Sequence, residues 1–173
     1  MIRLDNTRVR MLTEGAVAAA LSLALSFLKV FQMPQGGSIT LEMVPLLAFA
    51  AMRGVRAGAM CGATSGLLQM MLNGYVVNPV QAVLDYPLAF GLLALGGLQT
   101  RDLKGTALAM ILAGLARLTC HVLSGVIFFA SFAPEGSNVW VYSITYNATF
   151  LVPSLAISML IALPLVRRLK GRI

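Results

Sequence analysis

Six apolar segments, joined by short polar or glycine-containing turns, constrain this chain more than any single motif. They run roughly over 12–32, 39–52, 57–72, 80–98, 106–132 and 139–166. A helix needs about 20 apolar residues to cross the hydrocarbon core of a bilayer. The second and third segments are short for that purpose, and Arg53-Gly54-Val55-Arg56 between them reads as a tight turn. Only 11% of the residues are charged and 58% are hydrophobic, whereas a soluble domain is about a quarter charged. The first apolar run is also too long for the central region of a signal peptide. The expected fold is all-α: one domain over residues 1–173, with six transmembrane helices in a compact bundle.

The net charge of +7 raises the question of nucleic acid, but the positions of the charges answer it. Arg3, Arg8 and Arg10 precede the first segment, and Arg53 and Arg56 separate the second and third. Arg101 and Lys104 separate the fourth and fifth, and Arg167, Arg168, Lys170 and Arg172 follow the sixth. The intervening loops near 33–38, 73–79 and 133–138 contain no Lys or Arg. Basic loops lie on the cytoplasmic side, so both termini are expected there. The basic excess then reflects topology, and no nucleic-acid role is needed.

That topology sorts the unusual residues by depth, at about 1.5 Å of rise per helical residue. Asp85 falls within about two turns of the outer surface, and Glu42 lies near the outer end of the second helix. Trp140, Tyr142, Ser143, Tyr146 and Asn147 occupy the outer part of the sixth helix, with Tyr75 in the loop before the fourth. An acid inside a membrane helix is costly and is a functional-site hypothesis by default. Two plainer readings stand beside it: Asp85 pairs with the intramembrane base Arg117, and Glu42 is simply hydrated near the surface. For Trp140 and Tyr75 the plain reading is an interfacial aromatic belt.

Helical spacing brings these groups together. Arg117, His121 and Gly125 share one face, as do Gln81 and Asp85, and Ser143 and Asn147. Gly125 lets a flat ring approach the backbone. The expected result is an outward-facing pocket with carboxylate, imidazole, amide and hydroxyl groups between aromatic faces. Such a pocket suits a flat, polar cation. On the first helix, Ala16, Ala20 and Ala24 form a small-residue ridge that permits close approach of another helix, from within the bundle or from a partner. The sequence has no GxxxxGK[ST] phosphate loop, so a concentrating transporter of this kind would draw its energy from a partner or an ion gradient.

Over nearly its whole length the chain resembles the thiamine-specific S-components of energy-coupling factor (ECF) transporters. The resemblance rests on LTEGAVAAA, MPQGGSITLEMVP, RGVRAG, NPVQAVLDYPLAF, RLTCHVLSGVIFF and SFAPEGSNVWVYSITYNATFLVPS. It implies a prokaryotic cell-membrane subunit that captures thiamine with high affinity and has no cofactor. It also implies assembly with a transmembrane T-component and two ATPase subunits, with the alanine ridge as the docking surface. The implied ligand contacts are Tyr75, Asp85, Tyr86, His121, Gly125, Phe129, Tyr142, Ser143 and Asn147, with Ser38, Glu42, Trp140 and Tyr146 as further candidates. Asp85 would offset the cation or bind the aminopyrimidine, and His121 would stack on the thiazolium. Tyr142 and Asn147 would bind pyrimidine polar atoms, and Tyr75 and Tyr86 would line the hydroxyethyl end. The chain departs from some members by having Ser38 and Phe129 where they have tryptophan, and Asp85 where they have glutamate. Competing readings are an S-component for another vitamin or a thiamine precursor, a standalone ion-coupled transporter using Asp85, and an intramembrane enzyme using His121, Asp85 and Ser124. No nucleophile motif or metal-ligand cluster supports the last.

Overall fold

The computed structural model describes residues 6–34, 36–98 and 102–170. Arg3, Gln35, Arg101 and Arg172 lie outside the described residues. The helices are α1 (Asn6–Ser26), α2 (Met43–Arg53), α3 (Val55–Asn73), α4 (Pro79–Gly97), α5 (Leu103–Phe128) and α6 (Val139–Lys170). By length and apolarity α1, α4, α5 and α6 suffice to cross a membrane, whereas α2 is a shorter apolar helix.

The starts of α4, α5 and α6 each have a local cause. Asn78 Oδ1 accepts from Val80 N at 2.8 Å, with Pro79 at the first helical position of α4, where its missing N–H costs nothing. Asp102 Oδ1 caps α5 through Gly105 N at 2.9 Å, and Asn138 Oδ1 caps α6 through Trp140 N at 2.9 Å. Such caps satisfy amides that have no partner inside the helix. Between α2 and α3, Gly54 adopts φ 85°, a conformation that other residues rarely accept, so the chain reverses in a single residue.

The expected first helix, 12–32, is too long at its far end. α1 stops at Ser26, and Phe31–Gln32 (β1) pairs antiparallel with Ser38–Ile39 (β2), in the register Phe31↔Ile39 and Gln32↔Ser38. Apolarity continues through Val30 and Phe31, but glycines at φ 90° and 84° in Gly36-Gly37 make a hairpin turn accessible. For the same reason α2 starts at Met43 rather than at residue 39.

α2 is the centre of the bundle. Residues 43–50 are all buried, the pattern of a helix apolar on every side. Met43, Leu47, Leu93 and Met110 are almost completely enclosed, and Ala162 and Val166 from α6 complete that core. Large apolar side chains on the outside, including Met60, Leu108 and Leu160, form the surface that lipid would cover. At the α2–α3 turn, Arg53 clamps α1 through Glu14, with Nε to Oε2 at 2.6 Å and Nη2 to Oε1 at 2.7 Å.

α4 is not a regular helix. Leu84–Leu88 is a π turn containing Pro87, and Leu92–Gly97 is a 3-10 stretch. Proline lacks the N–H that would bond the preceding turn and its ring crowds that carbonyl, so a wider turn is a physical solution. α3 seats this segment through glycine: a Cβ at Gly66 would overlap Tyr86 O, and one at Gly62 would overlap Phe90 O. Gly62→Ala should therefore force the two backbones apart at a cost of about 1–3 kcal/mol. A thermal melt in detergent should show a lower Tm, and an unchanged Tm would contradict the close-approach account.

Candidate functional site

The π turn is where the site begins. Adjacent residues on an ordinary α-helix point about 100° apart, yet Asp85 and Tyr86 both border one cavity of about 570 Å³. That volume lies in the usual range for a small-molecule site. The cavity lies at the end of the bundle that carries the β1–β2 hairpin, and the hairpin itself contributes Gly37 and Ser38. Tyr146 Oη donates to Gly36 O at 2.8 Å, tying the hairpin to α6.

Asp85 reaches the cavity with its donors already in place. Gln81 Nε2 and Ser124 Oγ each donate to Oδ2 at 2.7 Å, and His121 Nδ1 lies 3.0 Å from Oδ1. These partners come from α4 and α5, so the carboxylate also joins the two helices. Gln81 is held in turn by the 74–78 segment: its Nε2 donates to Tyr75 O at 3.1 Å and its Oε1 accepts from Val77 N at 3.0 Å. A carboxylate with several good donors tolerates low-dielectric surroundings that would otherwise neutralise it.

The two plainer readings of the acids fail here. Arg117 does not take Asp85 as its carboxylate partner; its Nη2 donates to Glu42 Oε1 at 2.6 Å, joining α5 to the lead-in of α2. Glu42 is 9% exposed and so is not a hydrated surface acid. The guanidinium carbon of Arg117 lies 4.1 Å from the Phe90 ring centroid, within cation–π range.

Aromatic rings form two walls. Tyr75 and Phe129 lie 6.1 Å apart on one side, and Phe129 lies 6.0 Å from Phe132. On the other, Tyr142 and Tyr146 are 5.8 Å apart, and Phe150 sets its ring against those of Tyr146 and His121. Tyr86 Oη accepts from Tyr75 N at 2.7 Å, which fixes the first wall to α4. Gly125 lies beside Ser143, and a Cβ there would overlap Ser143 Oγ. Ser143 Oγ donates to Val122 O at 2.9 Å, and Asn147 Nδ2 donates to Ser143 O at 2.9 Å.

The cavity thus gathers Tyr75, Asp85, Tyr86, His121, Gly125, Phe129, Tyr142, Ser143 and Asn147, together with Ser38, Glu42 and Tyr146. Trp140 is not among its lining residues and is 51% exposed; it shares a helical face with Ser143 and Asn147 but sits in the first turn of α6, before the residues that line the cavity. Sequence reasoning missed Ser26, Gln69 and Asn73, which also line it. They belong to a polar seam between α1 and α3: Ser65 Oγ donates to Ser22 Oγ at 3.0 Å, and Asn73 Nδ2 donates to Ser26 Oγ at 3.3 Å. Four-residue spacing of 22 and 26, and of 65, 69 and 73, was the available signal.

A polar-floored, aromatic-walled cavity inside an apolar helical bundle defines a membrane-embedded small-molecule-binding protein. The family model described as thiamine transporter protein (Thia_YuaJ) matches residues 12–172, and the chain belongs to that family. The thiamine transporter ThiT of Bacillus subtilis (strain 168) is 36% identical, the alignment covering 87% of this chain and 86% of that protein. ThiT of Lacticaseibacillus paracasei is 32% identical, with 78% and 75% covered. A solved structure of ThiT from Listeria monocytogenes matches with a TM-score of 0.84 at 28% identity, covering 94% of this chain and 96% of that one. The family's role is transport rather than catalysis. Its bacterial members and the apolar helices make this a multi-pass protein of the prokaryotic plasma membrane.

Removing one partner of a buried ion pair strands the other charge, at about 3–5 kcal/mol, whereas replacing both with apolar residues is often neutral. Glu42→Ala alone should therefore destabilise strongly, and Glu42→Leu combined with Arg117→Met should stay near wild type. Denaturation in detergent measures both; equal losses for the two variants would contradict the pairing.

Proposed function

We propose that the chain binds thiamine in this cavity, from outside the cell and with high affinity, as the S-component of an ECF importer. The observation that carries the reading is the Asp85 carboxylate, held by Gln81, Ser124 and His121 between two aromatic walls. A flat cation there gains charge neutralisation from the acid and cation–π attraction from the rings. The names of the relatives supply the ligand: each is a thiamine transporter.

In this reading Asp85 offsets the positive charge or accepts from the aminopyrimidine, and the His121 face stacks on the thiazolium. Tyr142 and Asn147 meet the pyrimidine polar atoms, and Tyr75 and Tyr86 line the hydroxyethyl end; the space beside Gly125 is taken by Ser143 Oγ, so the expected approach of a ring to the backbone there does not hold. Phe129 adds an apolar face. The T-component would dock on α1, where Ala16, Ala20 and Ala24 are exposed while Ala18 and Ala19 are buried. The ridge thus points away from the bundle, as a docking surface requires. Two ATPase subunits would supply the energy.

Calorimetric titration of the purified chain with thiamine tests the proposal. Saturable binding, with riboflavin and biotin failing to compete, is expected; no binding to a demonstrably folded chain would refute it. Asp85→Asn should weaken binding by more than about tenfold, or ~1.4 kcal/mol, with the fold retained. Near-wild-type affinity would defeat the role given to Asp85. Ala20→Leu should leave thiamine binding intact and reduce co-purification with the T-component and ATPases; undiminished assembly would remove α1 as the docking surface.

A further inference from the structure

Arg117 borders the cavity but hardly enters it, being only 4% exposed. Its Nη2 is committed to Glu42, its guanidinium lies over Phe90, and its Nε faces His121 Nε2 across 3.5 Å. On the opposite side of the same imidazole, Nδ1 lies 3.0 Å from Asp85 Oδ1. A guanidinium offers only donors and keeps its proton, and an ionised carboxylate offers only acceptors. One neutral tautomer satisfies both neighbours, with the lone pair on Nε2 toward Arg117 and the proton on Nδ1 toward Asp85. The other tautomer points a proton at a guanidinium and a lone pair at a carboxylate. An imidazolium sets a second positive charge against the first.

We propose that Arg117 is a positioning residue that holds His121 as a neutral imidazole protonated on Nδ1, leaving the pocket one net negative charge for a cationic ligand. The charge-matching half rests on the thiamine reading; the tautomer half does not. Glu42 and Arg117 cancel as a buried pair, Asp85 remains, and the imidazole adds nothing. Lys29 borders the cavity only from an exposed position at its rim. The other titratable groups lining the cavity are Tyr75 before α4, Tyr86 on α4, and Tyr142 and Tyr146 on α6, each neutral when protonated. A cation then stacks on a ring without a like charge opposing it. Three donors occupy Asp85, whose oxygens accept about four, so an acceptor position is left for the ligand.

His121 is the only histidine in the chain, so histidine labelled with nitrogen-15 gives one assignable pair of ring resonances when purification uses a tag without histidine. In ligand-free protein near neutral pH, the spectrum should show a protonated Nδ1 and a bare Nε2. A bare Nδ1, or two protonated nitrogens, overturns the assignment. A second arm uses Glu42→Gln with Arg117→Gln, which removes both charges together and leaves hydrogen-bonding groups. In that folded double variant the resonances should move away from the single tautomer, and thiamine affinity should fall at least about tenfold. Arg117→Lys, which keeps a positive donor at that depth, should retain the wild-type signal. An unchanged spectrum and affinity in the double variant would overturn the role of Arg117. The ligand-free spectrum does not involve thiamine. A chain that binds none would therefore refute the functional reading and leave the tautomer to be judged by its own resonances.

Discussion

A carboxylate in an apolar bundle survives only if its hydrogen-bonding demand is met before any ligand arrives. Asp85 meets that demand with donors from α4 and α5, and much of the site follows. Gln81 must stay where it is, so the 74–78 segment is held in place by bonds to its amide. His121 must face Asp85 and so is fixed above Arg117, which requires Glu42. The polar groups form one connected set running from α4 through α5 to the lead-in of α2. Such networks are costly when half satisfied and rigid when complete.

The backbone serves the same end. The π turn at Leu84–Leu88 brings two consecutive side chains to one cavity, and π turns of this kind recur at functional sites. It needs a neighbour that fits an irregular helix, and α3 provides one by meeting it with Gly62 and Gly66. Without solvent exclusion to drive helices together inside a lipid layer, close packing of small residues carries much of the association. The small-residue faces here are therefore divided between two tasks. Those of α3 lie inside against α4, whereas Ala16, Ala20 and Ala24 of α1 remain outside.

The long helices were legible in the sequence because apolar runs of that length have few other solutions. α4, α5 and α6 begin within three residues of the expected positions. The end of α1 was not legible, since hydrophobicity says nothing about whether Val30 and Phe31 continue a helix or start a hairpin. The faces of the site were readable from four-residue spacing: Gln81 with Asp85, Arg117 with His121 and Gly125, and Ser143 with Asn147. Partners across helices were not. Glu42 and Arg117 are 75 positions apart, and only packing decides that Arg117 goes to Glu42 rather than Asp85. Trp140 shows the opposite error: depth and helical face both placed it near Ser143 and Asn147, but it lies in the first turn of α6, outside the lining.

The central claim is that Asp85 is the anchor for a cationic ligand lying between the two aromatic walls. The most direct measurement is an experimental structure of the chain with thiamine bound. The account predicts thiamine between the Tyr75–Phe129 wall and the His121–Tyr142 side, with an Asp85 oxygen within about 3.2 Å of a ligand nitrogen donor. Thiamine bound elsewhere, or in the cavity with Asp85 making no contact to it, would contradict the account.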